Sequence, residues 1–176
     1  MDIQKADYWT IIRFGNFELF MEKLRMENQS IEKIVNLVDR NGISLLEKAL
    51  ISRKFDIANF LLDNNAKVNI ISNEECNELH YLAANIHFTG AVELAHRLVE
   101  LGVNLNIRDR KFGNSALLSL CQEVLKKRTE EGNYLIIKCL KKHPHIHDLN
   151  KSGYSLKQLL EERGTVDIKK VVEEIS

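Results

Sequence analysis

The chain has 176 residues, of which 44% are apolar and 28% charged, an ordinary balance for one globular domain with its own core. Its 25 basic side chains are matched by 25 acidic ones, so no net charge draws the protein to nucleic acid or to an anionic membrane. No apolar run approaches the roughly 20 residues that span a bilayer, and the start, "MDIQKADYW", lacks the charged-then-apolar layout of a signal peptide, so a cytoplasmic protein is expected.

One proline and eight glycines, in a chain rich in Leu, Ile, Glu, Lys and Asn, favour helices. In chain order, apolar residues recur at helical spacing in "FDIANFLL" (55–62), "AVELAHRLVEL" (91–101) and "NYLIIKCL" (133–140), whereas two-residue alternation is short wherever it occurs. The expectation is a nearly all-helical protein. Cys76, Cys121 and Cys139 are odd in number and widely spaced, which suits reduced thiols better than disulfides.

The chain also repeats itself. "DRNGISLLEKALISRKFDIANFLLDNNAKVN" (39–69) aligns with "CNELHYLAANIHFTGAVELAHRLVELGVNLN" (76–106): Leu46 and Leu79 lie 33 residues apart, and the downstream halves match after four extra residues. A third copy follows, in which Gly113-Asn114-Ser115-Ala116-Leu117 repeats Gly42-Ile43-Ser44-Leu45-Leu46, and "IIKCLKKHPHIH" (136–147) takes the place of "ANFLLDNNAKVN".

These spacings resemble the ankyrin repeat, with its D-x-x-G turn, T-P-L-H-x-A-A helix, second helix and closing L-L-x-x-G-A-D-V-N. Asp39-Arg40-Asn41-Gly42 and Asn150-Lys151-Ser152-Gly153 match the turn, while Ser44, Ser115 and Ser155 fill the threonine slot, where a hydroxyl caps the first helix. His80 is the only histidine in the histidine slot. The resemblance covers almost the whole chain and implies an all-α solenoid of about five repeats: 1–38 as an amino-terminal cap, 39–71, 72–108 and 109–149 as internal repeats, and 150–176 as a carboxy-terminal cap. In the first cap, Ile11-Ile12 stand in the paired alanine slots, Gly15-Asn16 at the inter-helix turn, and Tyr8 and Trp9 seal the end. The family's proline is missing from every repeat, its slot holding Leu45, Glu78, Ala116 and Leu156. "SNEEC" and "DRKFG" replace the standard turn, so irregular fingers are expected there. Extra residues after Asn85 and Glu123 are expected to lengthen the loops between first and second helices.

"HPHIH" (143–147) could be a surface metal site, a pH-responsive element or a helix terminator. The alignment favours the terminator: His143 takes the glycine slot, Pro144 stops the helix, and Ile146 is the buried anchor. No phosphate loop, G-x-S-x-G, H-E-x-x-H or paired-cysteine pattern occurs, so no catalytic residue, cofactor or metal is expected. Cys121 and Cys139 fall in buried slots, and Cys76 lies near a finger, where Glu75 is adjacent but no triad is evident.

The resemblance therefore implies a non-catalytic protein-binding module that docks a protein on its concave surface, possible forms being an inhibitor or an immunity-type protein. Carried over slot by slot, the contact residues are Arg40, Asn41 and Ile43 on the first finger and Glu74 and Glu75 on the second. Arg110, Lys111, Phe112 and Asn114 follow on the third, and Lys151 and Tyr154 on the last. On the first helices they are Ile51, Ser52, Ala84, Asn85, Gln122 and Glu123. Phe112 is the strongest candidate, because a large aromatic on a turn has little to bury against in its own repeat. A monomer is expected, with no small-molecule substrate and no membrane partner. The alternatives are a self-associating scaffold, or nucleic-acid binding through Lys126, Lys127, Arg128, Lys141 and Lys142.

Overall fold

A computed structural model describes residues 1–175, which form eleven α-helices and, besides three isolated antiparallel bridges, no extended pairing. The protein is all-α. Its helices come in hairpins: α1 (Tyr8–Phe14) with α2 (Phe17–Met26), α4 (Leu45–Ile51) with α5 (Phe55–Asp63), and α6 (Glu78–Ala83) with α7 (Ala91–Glu100). Then come α8 (Ala116–Lys127) with α9 (Glu130–Leu140) and α10 (Leu156–Arg163) with α11 (Val166–Ile175); α3 (Ile31–Ile34) is a single turn between the first two hairpins.

Several helices start where a short polar side chain can replace the missing helical partner of a backbone amide. Asp7, Asn16, Ser115 and Thr129 accept from amides three residues on, at 2.7, 3.0, 3.0 and 3.1 Å. Ser44 and Ser155 add the reciprocal half: Glu47 and Gln158 reach back to the capping residue's own amide, at 2.7 and 2.8 Å. All three serines of the threonine slot thus cap helices.

Packing follows from the apolar spacing. The first helices stack in the order α1, α4, α6, α8, α10, and the second helices stack beside them as α2, α5, α7, α9, α11. One continuous core runs between the two layers, from Ile11, Ile12 and Phe20 through Leu46, Leu79 and Leu98 to Leu117, Leu160 and Ile168. Fully burying each such side chain contributes about 1.5–3 kcal/mol. Since every hairpin is covered by its neighbours, its stability depends on them.

The two insertions behave differently. After Glu123 the extra residues lengthen the helix and not the expected loop: α8 runs to Lys127, and Arg128, at φ 54°, ends it. After Asn85 they lengthen the loop as expected, with residues 84–90 between α6 and α7 where only 52–54 separate α4 from α5; they fold into tight turns, with Ile86 buried and Gly90 at φ 86° leading into α7. Asn65, Gly102 and His143 occupy equivalent left-handed positions just beyond α5, α7 and α9, at φ 63°, 83° and 52°.

Candidate functional site

The segments between hairpins project as four fingers of one design. In the first, the Asp39 N–H donates to the Ile43 carbonyl at 3.0 Å, while its carboxylate accepts from the amides of Asn41 and Ile43. Asn150 does the same for Ser152 and Tyr154, whereas Asp109 reaches the amides of Phe112 and Asn114, three and five residues on, so the "DRKFG" finger keeps the plan but is one residue longer, the irregularity expected there. The second finger, expected to be irregular, follows the same plan. Ser72 replaces the aspartate, donating its amide to the Cys76 carbonyl and accepting from the Cys76 amide through Oγ, and Glu75 adopts the glycine conformation at φ 59°. A short acceptor that binds amides within the turn meets the same requirement as the carboxylate.

The fingers are joined. The amides of Asn73, Arg110 and Lys151 donate to the carbonyls of Asn41, Glu74 and Phe112, each at 2.9 Å. At the first finger, Trp9 Nε1 donates to the Ile43 carbonyl, so the half-buried indole ties the first hairpin to the row. Close approach explains Gly42: a Cβ there would lie 3.2 Å from the Asn73 nitrogen, and φ is +74°.

A second row of bonds runs past the hairpin ends. Asn36, Asn69 and Asn106 each accept, through Oδ1, a backbone amide of the following hairpin: Lys67 at 2.8 Å, Asn104 at 2.6 Å and His145 at 2.9 Å. The sequence alignment located two of these asparagines but not their role.

Of the residues expected on the contact face, Arg40, Asn41, Glu74, Glu75, Arg110, Lys111, Phe112 and Lys151 are exposed on the fingers, and Ile51 and Ala84 on the first helices. Phe112 is 54% exposed, with Lys111 Nζ 4.8 Å from its ring centroid. Glu75 and Arg110 are paired across neighbouring fingers at 3.2 Å. The half-buried residues have internal duties. Asn85 Nδ2 donates to the Leu50 carbonyl at the end of α4, Glu123 pairs with Lys126 at 2.6 Å, and the Tyr154 hydroxyl donates to Glu162 at 2.7 Å. Ile43 is half-buried beneath the Trp9 bond, and the Ser52 amide closes α4 on the Lys48 carbonyl.

Asn114 is a correction. It is 9% exposed and acts as a strut: its amide donates to Asp109, its carbonyl receives His80 Nε2 at 3.2 Å, and its side chain bridges Gln122 and Asn150. A residue two positions from the exposed Phe112 is thus committed inward by neighbours from three other segments. The Asn114 contact makes Nε2 of His80 the donor and leaves Nδ1 to accept the Asn77 amide, a neutral imidazole whose pKa burial lowers.

The remaining candidates separate cleanly. "HPHIH" is a helix end in which Pro144 and Ile146 are buried and the Ile146 carbonyl accepts the Lys157 amide. Among the described residues no three His, Cys, Asp or Glu side chains converge into a group that could hold a metal. Cys121 and Cys139 are buried, and burial raises both thiols, Cys139 to about 12. Burial, and then the negative charges of Asp109 and Glu47, push the half-buried Cys76 up to about 11, far from a reactive thiolate. The basic patch is two patches: Lys126, Lys127 and Arg128 precede α9 and Lys141 and Lys142 follow it, so the eleven residues of α9 hold them about 16 Å apart at 1.5 Å per residue.

Sequence inspection missed the buried polar groups. Glu47 and Glu78 are both fully covered, and Lys23 Nζ is enclosed by Glu27 and the carbonyls of Ile3 and Gln4. The one available signal was Glu47 three residues after Ser44, a capping-box spacing. Among the described residues no helix is long and apolar enough to cross a membrane. The sequence matches no protein-family model and no curated protein.

Proposed function

We propose that the chain is an ankyrin-type solenoid of five hairpin repeats, with caps at 1–38 and 150–176, and that it is a non-catalytic module binding another protein on its finger and first-helix face. The observation that carries this is the state of Phe112. Its ring is more than half exposed, yet its amide is bonded to Asp109 and its carbonyl to Lys151. A large aromatic held on a rigid turn loses little conformational freedom on binding, which is what a contact residue requires. Neighbouring exposed side chains of both signs, Glu74 and Glu75 beside Arg110 and Lys111, supply specificity more than bulk attraction. Occlusion of a partner enzyme's active site, as by an inhibitor or immunity-type protein, is one use that such a surface allows.

The test is a pull-down with the purified chain as bait, beside a Phe112→Ala, Arg110→Glu double variant whose helicity is verified by circular dichroism. A protein recovered by the native chain and lost by the folded variant is the expected outcome. Recovery unaffected by the variant places the contact elsewhere on the molecule.

A further inference from the structure

We infer that the partner reaches this face with an acidic segment of its own chain, received in the cleft between the third and fourth fingers; this rests on the protein-binding reading above and specifies its chemistry. The cleft has a volume of about 470 Å³ and is lined by Lys111, Phe112, Gln122, Asn150, Lys151 and Ser152 at its mouth, with no carboxylate among its walls. Some cations elsewhere on the surface are held in short ion pairs: Lys126 with Glu123, Lys138 with Glu100 and Arg97 with Asp63 all stand at 2.6 Å. Among the described residues neither lysine of the cleft has a carboxylate partner. Lys111 Nζ rests over the Phe112 ring, and Lys151 Nζ donates to the Arg110 carbonyl. In a chain of zero formal charge, two cations without a carboxylate on either side of an exposed aromatic are a local excess.

An incoming carboxylate gains both charges without breaking an existing ion pair, so the usual compensation between new and lost pairs does not arise. Gln122 uses its Oε1 to accept from Asn114 and keeps its amide N–H groups for the same acceptor. An apolar residue next to the acidic ones would cover Phe112. A continuous polyanion such as nucleic acid fits less well, because the adjoining finger places the exposed Glu74 and Glu75 along its path.

The experiment is an amide-resolved NMR titration with three probes: a capped EELDE peptide, its charge-reversed counterpart KKLRK, and a short oligo-dT strand. The expected result is that EELDE alone shifts the amides of Lys111, Phe112, Gln122 and Lys151, and that its affinity falls about tenfold in a Lys111→Gln, Lys151→Gln double variant, as loss of a close charge pair implies. No response, a response mapped elsewhere, an equal affinity in the variant, or an equal response to KKLRK or oligo-dT overturns the inference. The pull-down separates this from the broader reading. A protein captured through Phe112 and retained by the double glutamine variant leaves the binding module standing and removes the acidic segment.

Discussion

Glu47 and Glu78 lie on successive first helices, both fully buried, and the negative charge of Glu78 adds to the burial that raises the pKa of Glu47 to about 8. Their surroundings differ. Glu78 uses both oxygens, accepting from the amides of Asn69 at 2.9 Å and Ile70 at 3.2 Å. Glu47 accepts the Ser44 amide through Oε2, and among the described residues nothing hydrogen-bonds its Oε1.

Stability should therefore fall with rising pH across the neutral range. The raised pKa of Glu47 means that, from the ordinary carboxylate value upward to about 8, the folded protein keeps a proton that the unfolded chain has released, so raising the pH favours unfolding. The melting temperature is expected to decline from about pH 5 to about pH 8 and then level off, with Glu78, also raised by burial, contributing in the same direction. Glu47→Gln mimics the protonated carboxyl, so the variant should match the native protein near pH 5 and exceed it near pH 8. A pH-independent melting temperature in the native chain would show that the carboxylate is accommodated in its charged form.

The row of asparagines predicts a graded response at Asn69. This residue has φ 68°, and its side chain both accepts the Asn104 amide and donates to the Gly102 carbonyl. Asn69→Gly keeps the backbone conformation and loses the bonds, at a cost of about 1 kcal/mol. Asn69→Ala loses the bonds and forces a side chain into the left-handed region, adding about 1 kcal/mol. Urea midpoints should rank native above glycine above alanine, with faster amide exchange at Asn104 in both variants. Equal midpoints for the two variants would remove the conformational part of the argument.

Two glycines on equivalent turns should respond unequally. Gly42 and Gly153 have φ +74° and +75°, so alanine is strained by the same amount, about 1 kcal/mol, at either. At Gly42 the new Cβ also meets the backbone of Ser72 and Asn73, whereas at Gly153 there is open space within 4 Å. Gly42→Ala is therefore expected to lower stability more than Gly153→Ala, by a further ~1 kcal/mol or more, and to loosen the Asn73–Asn41 bond as seen in amide exchange. Equal losses would mean that the first two fingers can separate without penalty.

Much of the architecture was legible because it rests on local chemistry. Leu46 and Leu79 at one period, and Ser44, Ser115 and Ser155 at the head of each first helix, announce themselves because helix burial and capping involve residues three or four positions apart. The second finger was harder to read. Ser72 and Glu75 do the work of aspartate and glycine, and a turn tolerates such exchanges so long as an acceptor and a left-handed residue are supplied. The expected loop after Glu123 failed for a related reason: "VLKK" continues an apolar stripe, and Val124 and Leu125 are buried by carrying α8 onward.

By itself, then, the sequence determined the helices, their caps and their equivalence, since each depends on neighbours within about a turn of chain or on a repeated spacing of apolar residues. Only the tertiary structure decided which polar side chains face outward. Asn114 and Phe112 sit on one finger, yet Asn150, 36 residues away, draws the first inward while the second is left 54% exposed. Asn69 finds its partner 35 residues on, and Glu47 is enclosed by the next hairpin. Such partners meet only when hairpins stack, and the stacking is set by the shape of the whole core rather than by any segment that contributes to it.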